Sequence, residues 1–291
     1  MKAAPFHYVR AENTEQALAL LAEHGGEAKL IAGGQSLVPM MAMRLARPTV
    51  LVDINRISEL QTINANSQQV QIGAGVSQRN IEQATELGTT LPLLRQALQW
   101  VGHLQTRNRG TVGGSLAHAD PSAEIPLAAL VLGATLNIKK QNQGQRRVLA
   151  HDFFLGPMMT TIGETDCLLS SEWPVWSGDG VGSCFEETAI RKGDFAMASA
   201  ACQLQINESG LVTRASFGLG GVSGTPLVFP QLCSPLLGQR MTPELAQETA
   251  QAAARESDPG SDMHASAPFR RHLASVLLER ALLQAAEQAK L

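Results

Sequence analysis

Residues 105–126, QTRNRGTVGGSLAHADPSAEIP, hold most of the groups in this chain whose types suit ligand chemistry. Thr111, Gly113, Gly114 and Ser115 lack bulk, so the main chain there can approach a ligand closely. Adjacent glycines also admit φ > 0 at no steric cost. Successive N–H groups in such a loop form a concave nest for an anion, typically a phosphate. Pro126 stands just inside the apolar run Ile125–Leu132, a helix-start signal, so the loop also aims a helix N-terminus at the anion. Asp120 and Glu124 add two carboxylates, which suit either hydrogen-bond acceptance from a ligand or the capping of a loop and a helix. A plain Gly-rich turn fits the stretch equally well. Lys29–Met40, KLIAGGQSLVPM, repeats the pattern: a short apolar strand, Gly33-Gly34, then Gln35 and Ser36. Two such loops would clasp one pyrophosphate from two sides. Neither is a P-loop, because the Gly-Lys-Ser/Thr ending is missing. Neither is the dinucleotide fingerprint; in its nearest match, Gly73-Ala74-Gly75, Gln78 replaces the third Gly.

Other reactive side chains offer less. Ser36 and Ser115 sit in no G-x-S-x-G context and have no His/Asp partner, so they are not nucleophile candidates. His118 has the type of a general base, but a structural or ligand-contact role is the preferred reading. Cys167, Cys184, Cys202 and Cys233 lie 17, 18 and 31 residues apart, which suits neither a zinc site nor an iron–sulfur cluster; they read as reduced thiols. The chain has 291 residues, long enough for two or more packed units, with 44% apolar and 17% charged residues. A net charge of -3 and few aromatic residues argue against a nucleic-acid partner. No run approaches the ~18 apolar residues of a membrane span. The N-terminus lacks an apolar signal core, so a cytoplasmic protein is expected.

These loops need elements to position them. Residues 13–24 read as a helix capped by Asn13 or Thr14 and stopped at Gly25-Gly26. Strand, helix around Leu37–Leu45 and strand TVLVDI follow as a β–α–β unit. QQVQIGAG alternates as a strand, VSQRNIEQATEL and Leu91–Val101 read as helices, and the second Gly-Gly stretch reads as a long loop. Next come an apolar helix (Ile125–Leu132), a strand (Ala134–Lys139) and a hairpin turn in QNQGQ. Ser170–Trp176 reads as an edge strand broken by Pro174, and Trp173 and Trp176 as packing or interface residues. After a linker at Gly178–Gly182, three strands (Cys184–Ile190, Ala196–Ile206, Val212–Leu219) form an antiparallel meander. Helices at Thr242–Glu256 and Ala267–Leu291 complete the chain.

The pair AGGQSL (Ala32–Leu37) and RNRGTVGGSLAHADPSAE (Arg107–Glu124) resembles the FAD-binding medium subunit of the molybdenum hydroxylases, the family of carbon monoxide dehydrogenase, xanthine dehydrogenase and the N-heterocycle hydroxylases. The likeness runs on through PFHYVRAENTEQALALLAEHG, LVDINRISEL, IGAGVSQ, FEETAIRKGDFAMASAAC and FRRHLASVLLERAL, in that order. The resemblance implies an α+β fold. A two-part FAD-binding domain (1–58 and 59–177) would hold the cofactor between its βαβ unit and its middle α/β unit. A C-terminal three-stranded antiparallel sheet with helices (178–291) would cover it. The cofactor contacts carried over are Ala32, Gly33, Gly34, Gln35, Ser36, Leu37, Gly110, Thr111, Gly113, Gly114, Ser115, His118, Asp120, Glu124, Leu168, Lys192 and Phe195. Asp120 and Glu124 would accept from sugar or ribityl hydroxyls; the family usually has Asp where Glu124 stands. Phe195 would stack near the flavin ring, with Lys192 or Asp194 tuning access, unless this is a strand turn with Phe195 in the core. Gly73–Val76 would line the ring's other side. No catalytic or metal-ligating residue is expected here. Electrons would arrive from 2Fe–2S clusters on a small subunit, after hydroxylation at a molybdenum cofactor on a large subunit, in a dimer of heterotrimers. Other readings are a stand-alone FAD oxidoreductase of the same fold, such as an enolpyruvoyl-sugar reductase or an oxidase, and a non-catalytic nucleotide-binding subunit.

Overall fold

The computed structural model describes residues 2–290. The first unit is a parallel sheet of β1 (His7–Arg10), β2 (Ala28–Ile31) and β3 (Val50–Asp53), in the order β1-β3-β2. The four residues of β3 are all buried, as a central parallel strand requires. Helix α1 (Thr14–His24) covers the sheet with Ala17, Leu18 and Leu21; Asn13 accepts from the N–H of Gln16 as its cap. Helix α2 (Leu37–Ala42) leaves the Gly33-Gly34 turn. Strand β1 was not expected from the sequence. At four residues, three of them exposed, it has too little alternation to signal a strand.

The second unit is a five-stranded sheet, β4-β5-β10-β6-β7, built from β4 (Ile63–Ala65), β5 (Gln69–Gly73), β6 (Thr135–Lys140), β7 (Gln145–Leu149) and β10 (Asp166–Pro174). A small hairpin, β8 (Phe154–Gly156) and β9 (Met159–Thr160), precedes β10. The expectation of an edge strand at residues 170–176 is overturned: β10 is the middle strand, paired to both β5 and β6. Pro174 is tolerated because it is the last residue of the strand. Trp173 is fully buried and donates to Ser171 Oγ at 2.8 Å. Trp176 is buried too, with the Arg214 guanidinium 3.9 Å over its ring. Both tryptophans are packing residues.

The helices on this sheet are α3 (Gln78–Gln83), α4 (Leu87–Thr90), α5 (Pro92–Leu98), α6 (Leu104–Arg109), α7 (Val112–His118), α8 (Glu124–Leu132) and α9 (Ala150–Phe153). The expected long loop is therefore two short helices, α6 and α7, joined at Gly110-Thr111. Helix α8 is apolar nearly all round and buried on all but one residue, because it lies between this sheet and the C-terminal one.

The C-terminal sheet has four strands: β11 (Val181–Thr188), β12 (Ala198–Ile206), β13 (Val212–Gly220) and β14 (Leu227–Val228). The first three are the expected meander; β14 has two residues, too few to register as a pattern. Helix α10 (Pro230–Cys233) follows, and α11 (Pro243–Glu256) and α12 (Ala267–Gln288) cover the sheet. Gly182 is required here. A Cβ would lie 2.5 Å from Ala289 N and would also strike the carbonyl of Ala285, both on the α12 side. Cys167, Cys184 and Cys202 are buried free thiols, and burial pushes Cys167 and Cys184 up to about 12.

Candidate cofactor-binding site

The two Gly-Gly motifs meet in space. Gly33 packs directly on the backbone of Arg109 and Gly110, and a Cβ there would lie 2.7 Å from the Gly110 Cα. Gly34 sits in the left-handed region at φ 72° and turns the chain into α2. The turn is held from below by Asn55, whose Nδ2 donates to Ala32 O at 2.7 Å. Asn55 is fixed in turn by Asp53 Oδ1, which takes its N–H and its amide. Gln35 folds back to donate to Gly33 O at 3.1 Å. Ser36 is the N-cap position of α2 and makes no side-chain cap bond. Among the described residues, the N–H groups from Gly33 to Leu37 have no acceptor. Five consecutive main-chain donors on a half-exposed turn suit an anion such as a pyrophosphate.

The second motif is built differently from its expectation. Gly113 and Gly114 are in the first turn of α7 with helical backbone, so freedom at φ > 0 is not their use. Thr111 caps this helix, its Oγ1 accepting from Gly114 N at 2.9 Å. The N–H groups of Val112 and Gly113 donate to Val76 O and Ala74 O at 3.0 and 3.1 Å. These helix-start donors are thereby used inside the protein, and the run of N–H groups without an acceptor among the described residues is at the first motif. Gly113 is needed for close packing: a Cβ would lie 2.5 Å from the Ala74 Cα. A Cβ on Gly114 would meet only the capping hydroxyl of Thr111 within 4 Å among the described residues, helix backbone aside. Gly73–Val76 is buried and backs α7. Gly110 ties the same region together, accepting from Gln78 N at 2.8 Å.

Beyond Ser115 and the half-buried His118, α7 ends on Ala119, a non-glycine residue in the left-handed region at φ 51°. Its carbonyl accepts from Met158 N at 3.0 Å, and Met158 is also left-handed at φ 56°. Such conformations persist only where surrounding contacts impose them. The imposed bend delivers Asp120, whose Oδ1 accepts from Ser122 N at 2.8 Å and whose other oxygen has no hydrogen-bond partner among the described residues. Glu124 follows as the first residue of α8 and is buried. Burial is the main cause that pushes its carboxyl up to about 7; the Asp120 charge adds to this, while its own N–H and Arg107 oppose it.

Leu168 is buried on β10, next to Leu169, whose carbonyl accepts from Ala74 N at 2.8 Å. Lys192 and Phe195 lie on the β11–β12 loop, apart from the Gly-Gly turns. Gly193 in that loop abuts His103 at the start of α6, whereas the Gly33 contact is at the opposite end of α6. The core placement weighed for Phe195 is overturned: it is 75% exposed. The loop nonetheless reaches the Asp120 turn through Gly221, which abuts Met197 O and donates to Pro121 O at 2.9 Å. Arg270 of α12 locks this corner, donating to Met197 O at 2.6 Å and to Asp262 Oδ2 at 2.6 Å.

Sequence reasoning missed Glu187 of β11. It is 5% exposed, and neither of its carboxylate oxygens has a partner among the described residues. Burial, then the Glu124 charge, raise it to about 9. It lies on the same face of the strand as Ser183 and Phe185, both buried.

Residues 4–176 match the family described as the FAD binding domain in molybdopterin dehydrogenase, and residues 183–285 match the CO dehydrogenase flavoprotein C-terminal domain. The chain belongs to the FAD-binding medium subunits of the molybdenum hydroxylases. This medium subunit is 35% identical over 290 residues to the 6-hydroxypseudooxynicotine dehydrogenase complex subunit alpha of Paenarthrobacter nicotinovorans, covering 100% of this chain and 97% of that one. It is 34% identical to the caffeine dehydrogenase subunit beta of Pseudomonas sp. (strain CBB1), covering 99% and 97%. Among solved structures it matches carbon monoxide dehydrogenase from Hydrogenophaga pseudoflava with a TM-score of 0.95 at 34% identity, covering 99% of each chain. The medium subunit is thus an FAD-binding oxidoreductase subunit with the mixed fold its sequence implied. No helix among its described residues is long and apolar enough to cross a membrane.

Proposed function

We propose that this subunit carries electrons within a heteromeric molybdenum-dependent hydroxylase or dehydrogenase. They arrive from 2Fe–2S clusters on a small subunit and leave to an external acceptor. The large subunit holds the molybdenum cofactor and the substrate, and the whole assembles as a dimer of heterotrimers in the cytoplasm. FAD, when bound, supplies an electron carrier that exchanges electrons singly or in pairs. The chain's part is to bind and orient it. The observation that supports this reading best is the run of partnerless N–H groups at residues 33–37, seated on the second Gly-Gly motif. Pyrophosphate would sit on that turn, Gly114 and Ser115 would face it from α7, and Asp120 and Glu124 would take the polyol hydroxyls. The corner at Met197–Gly221 would bring the loop of Lys192 and Phe195 toward the ring. The division 1–58, 59–177 and 178–291 belongs to the same reading, with each part centred on its own apolar cluster.

Expression of the chain alone tests it. The purified chain should bind FAD, release it on acid precipitation, and accept electrons from dithionite, yet hydroxylate no heterocycle or aldehyde. Expressed with its neighbouring subunits, it should co-purify with molybdenum and iron. Turnover by the chain alone would favour a stand-alone flavoenzyme, and a chain that took up no flavin would be a non-catalytic subunit.

A further inference from the structure

Position 33 must be glycine for a packing reason, since a Cβ there would lie 2.7 Å from the Gly110 Cα. The same choice leaves the Ala32–Gly33 peptide poorly held. Flipping that peptide turns ψ of Ala32 and φ of Gly33 together, and glycine is the residue that opposes the rotation least. The orientation matters to a bound anion. A trans peptide carries its C=O and its N–H on opposite sides. With the Ala32 oxygen turned toward Asn55, just past β3, the Gly33 N–H faces away from Asn55 and leads the run of donors without an acceptor among the described residues. The flipped peptide would offer the anion a carbonyl oxygen instead.

One side chain holds the peptide. Asn55 Nδ2 meets two acceptors, Ala32 O and Asp53 Oδ1, each at 2.7 Å. Two acceptors around one nitrogen on a short stem call for a side-chain amide; the isosteric aspartate, once ionised, has no hydrogen to give. Asn55 is itself fixed at both main-chain groups. Its N–H donates to the same Asp53 Oδ1 at 2.8 Å, and its carbonyl accepts from Gln61 Nε2 at 3.2 Å. Asp53 is buried; its Oδ2 accepts from the Tyr8 hydroxyl and lies 3.8 Å from Arg10 Nε. Burial pushes the Asp53 carboxyl up, but the bonds from Tyr8 and Asn55 and the Arg10 charge outweigh it and hold the group below its ordinary value. Donation to the Ala32 carbonyl also polarises the peptide, which makes the Gly33 N–H a stronger donor. We propose that Asn55 is a positioning residue for the cofactor's pyrophosphate. It locks the Ala32–Gly33 peptide in the orientation that presents the Gly33 N–H, with Asp53 of β3 and Tyr8 of β1 as its support. The inference rests on the FAD reading of the site.

Two measurements on the full-length chain test it. The chain has two Ala–Gly peptides, Ala32–Gly33 and Ala74–Gly75. Isotope labels on alanine carbonyls and glycine nitrogens let NMR see only these two, and Ala32→Ser assigns them by removing one signal. In the flavin-free wild-type chain the Ala32–Gly33 peptide should give a single sharp signal. In Asn55→Asp, which keeps the shape and loses the donor, that signal should double or broaden as the peptide samples both orientations. Asn55→Ala should do the same, and it carries the test where a second carboxylate beside Asp53 prevents folding, as judged by circular dichroism. The second measurement is FAD affinity at neutral pH, from quenching of flavin fluorescence. It should fall by about tenfold or more in each folded variant. An unchanged single Ala32–Gly33 signal in a folded variant overturns the proposal. So does wild-type FAD affinity in a variant whose signal has doubled. No saturable FAD binding by the wild-type chain refutes the FAD reading instead, and the peptide signals then decide whether Asn55 sets this orientation.

Discussion

At the scale of single residues, the site depends on glycines whose reasons differ. Gly33 is a packing glycine: Gly33→Ala must separate the two motifs, because the obstacle is backbone. We expect at least a tenfold weaker hold on FAD, about 1.4 kcal/mol, with a circular dichroism spectrum unchanged. Normal flavin content in that variant would refute the joining of the motifs. Thr111→Val removes the cap of α7 and should cost about 1 kcal/mol in urea denaturation. The buried glutamates make stability depend on pH. Their folded-state values are raised toward about 7 and about 9, against 4.5 for an ordinary glutamate. Their contribution is thus fully present below pH 4.5 and is lost as pH rises through about 7 and then about 9. Urea midpoints of the apo chain should fall across that window, and Glu187→Gln should flatten the fall. A wild-type chain with constant midpoints from mildly acid to alkaline pH would contradict this. Glu187 was not legible in the sequence, because an acid in a strand reads as solvated until the partner face is known. Phe195 was ambiguous for the converse reason: an aromatic in a strand turn suits a core as well as a surface, and the exposed loop decides for the surface.

At the scale of elements, capped and periodic pieces were readable. Asn13 capping α1, Thr242-Pro243 opening α11 and the three long C-terminal strands all carry their signals within a few neighbouring residues. The second Gly-Gly stretch was read as loop because glycines argue against helix. What makes it helical is tertiary: β5's continuation supplies acceptors for Val112 and Gly113, and Gly113 lets α7 sit flush on Ala74. The placement of Pro174 was misjudged because strand order is set by distant partners, and a proline at a strand's last residue is compatible with a central position. A sharp element-scale test lies at Gly182, where β11 touches the backbone of α12. Gly182→Val should push the helix off the sheet and cost more than about 2 kcal/mol, read as a lowered thermal midpoint. An unchanged midpoint would mean that the contact is looser than described.

At the scale of the whole molecule, the site is made by parts far apart in the chain: residues 32–37, 110–124 and the corner at 197–221. Sequence reading reached this arrangement through the family likeness, since no local pattern says that these stretches meet. The pinning of that corner by Arg270 has a consequence in time. During synthesis both Gly-Gly motifs leave the ribosome long before α12 does, so the Pro121 turn stays unbraced on its far side until α12 has emerged. Cofactor capture should then wait for the emergence of α12. Nascent chains stalled after residue 256 should retain little flavin, and chains stalled on a linker beyond residue 291 should retain it fully. Equal retention in the two would show that the first two units capture the cofactor unaided.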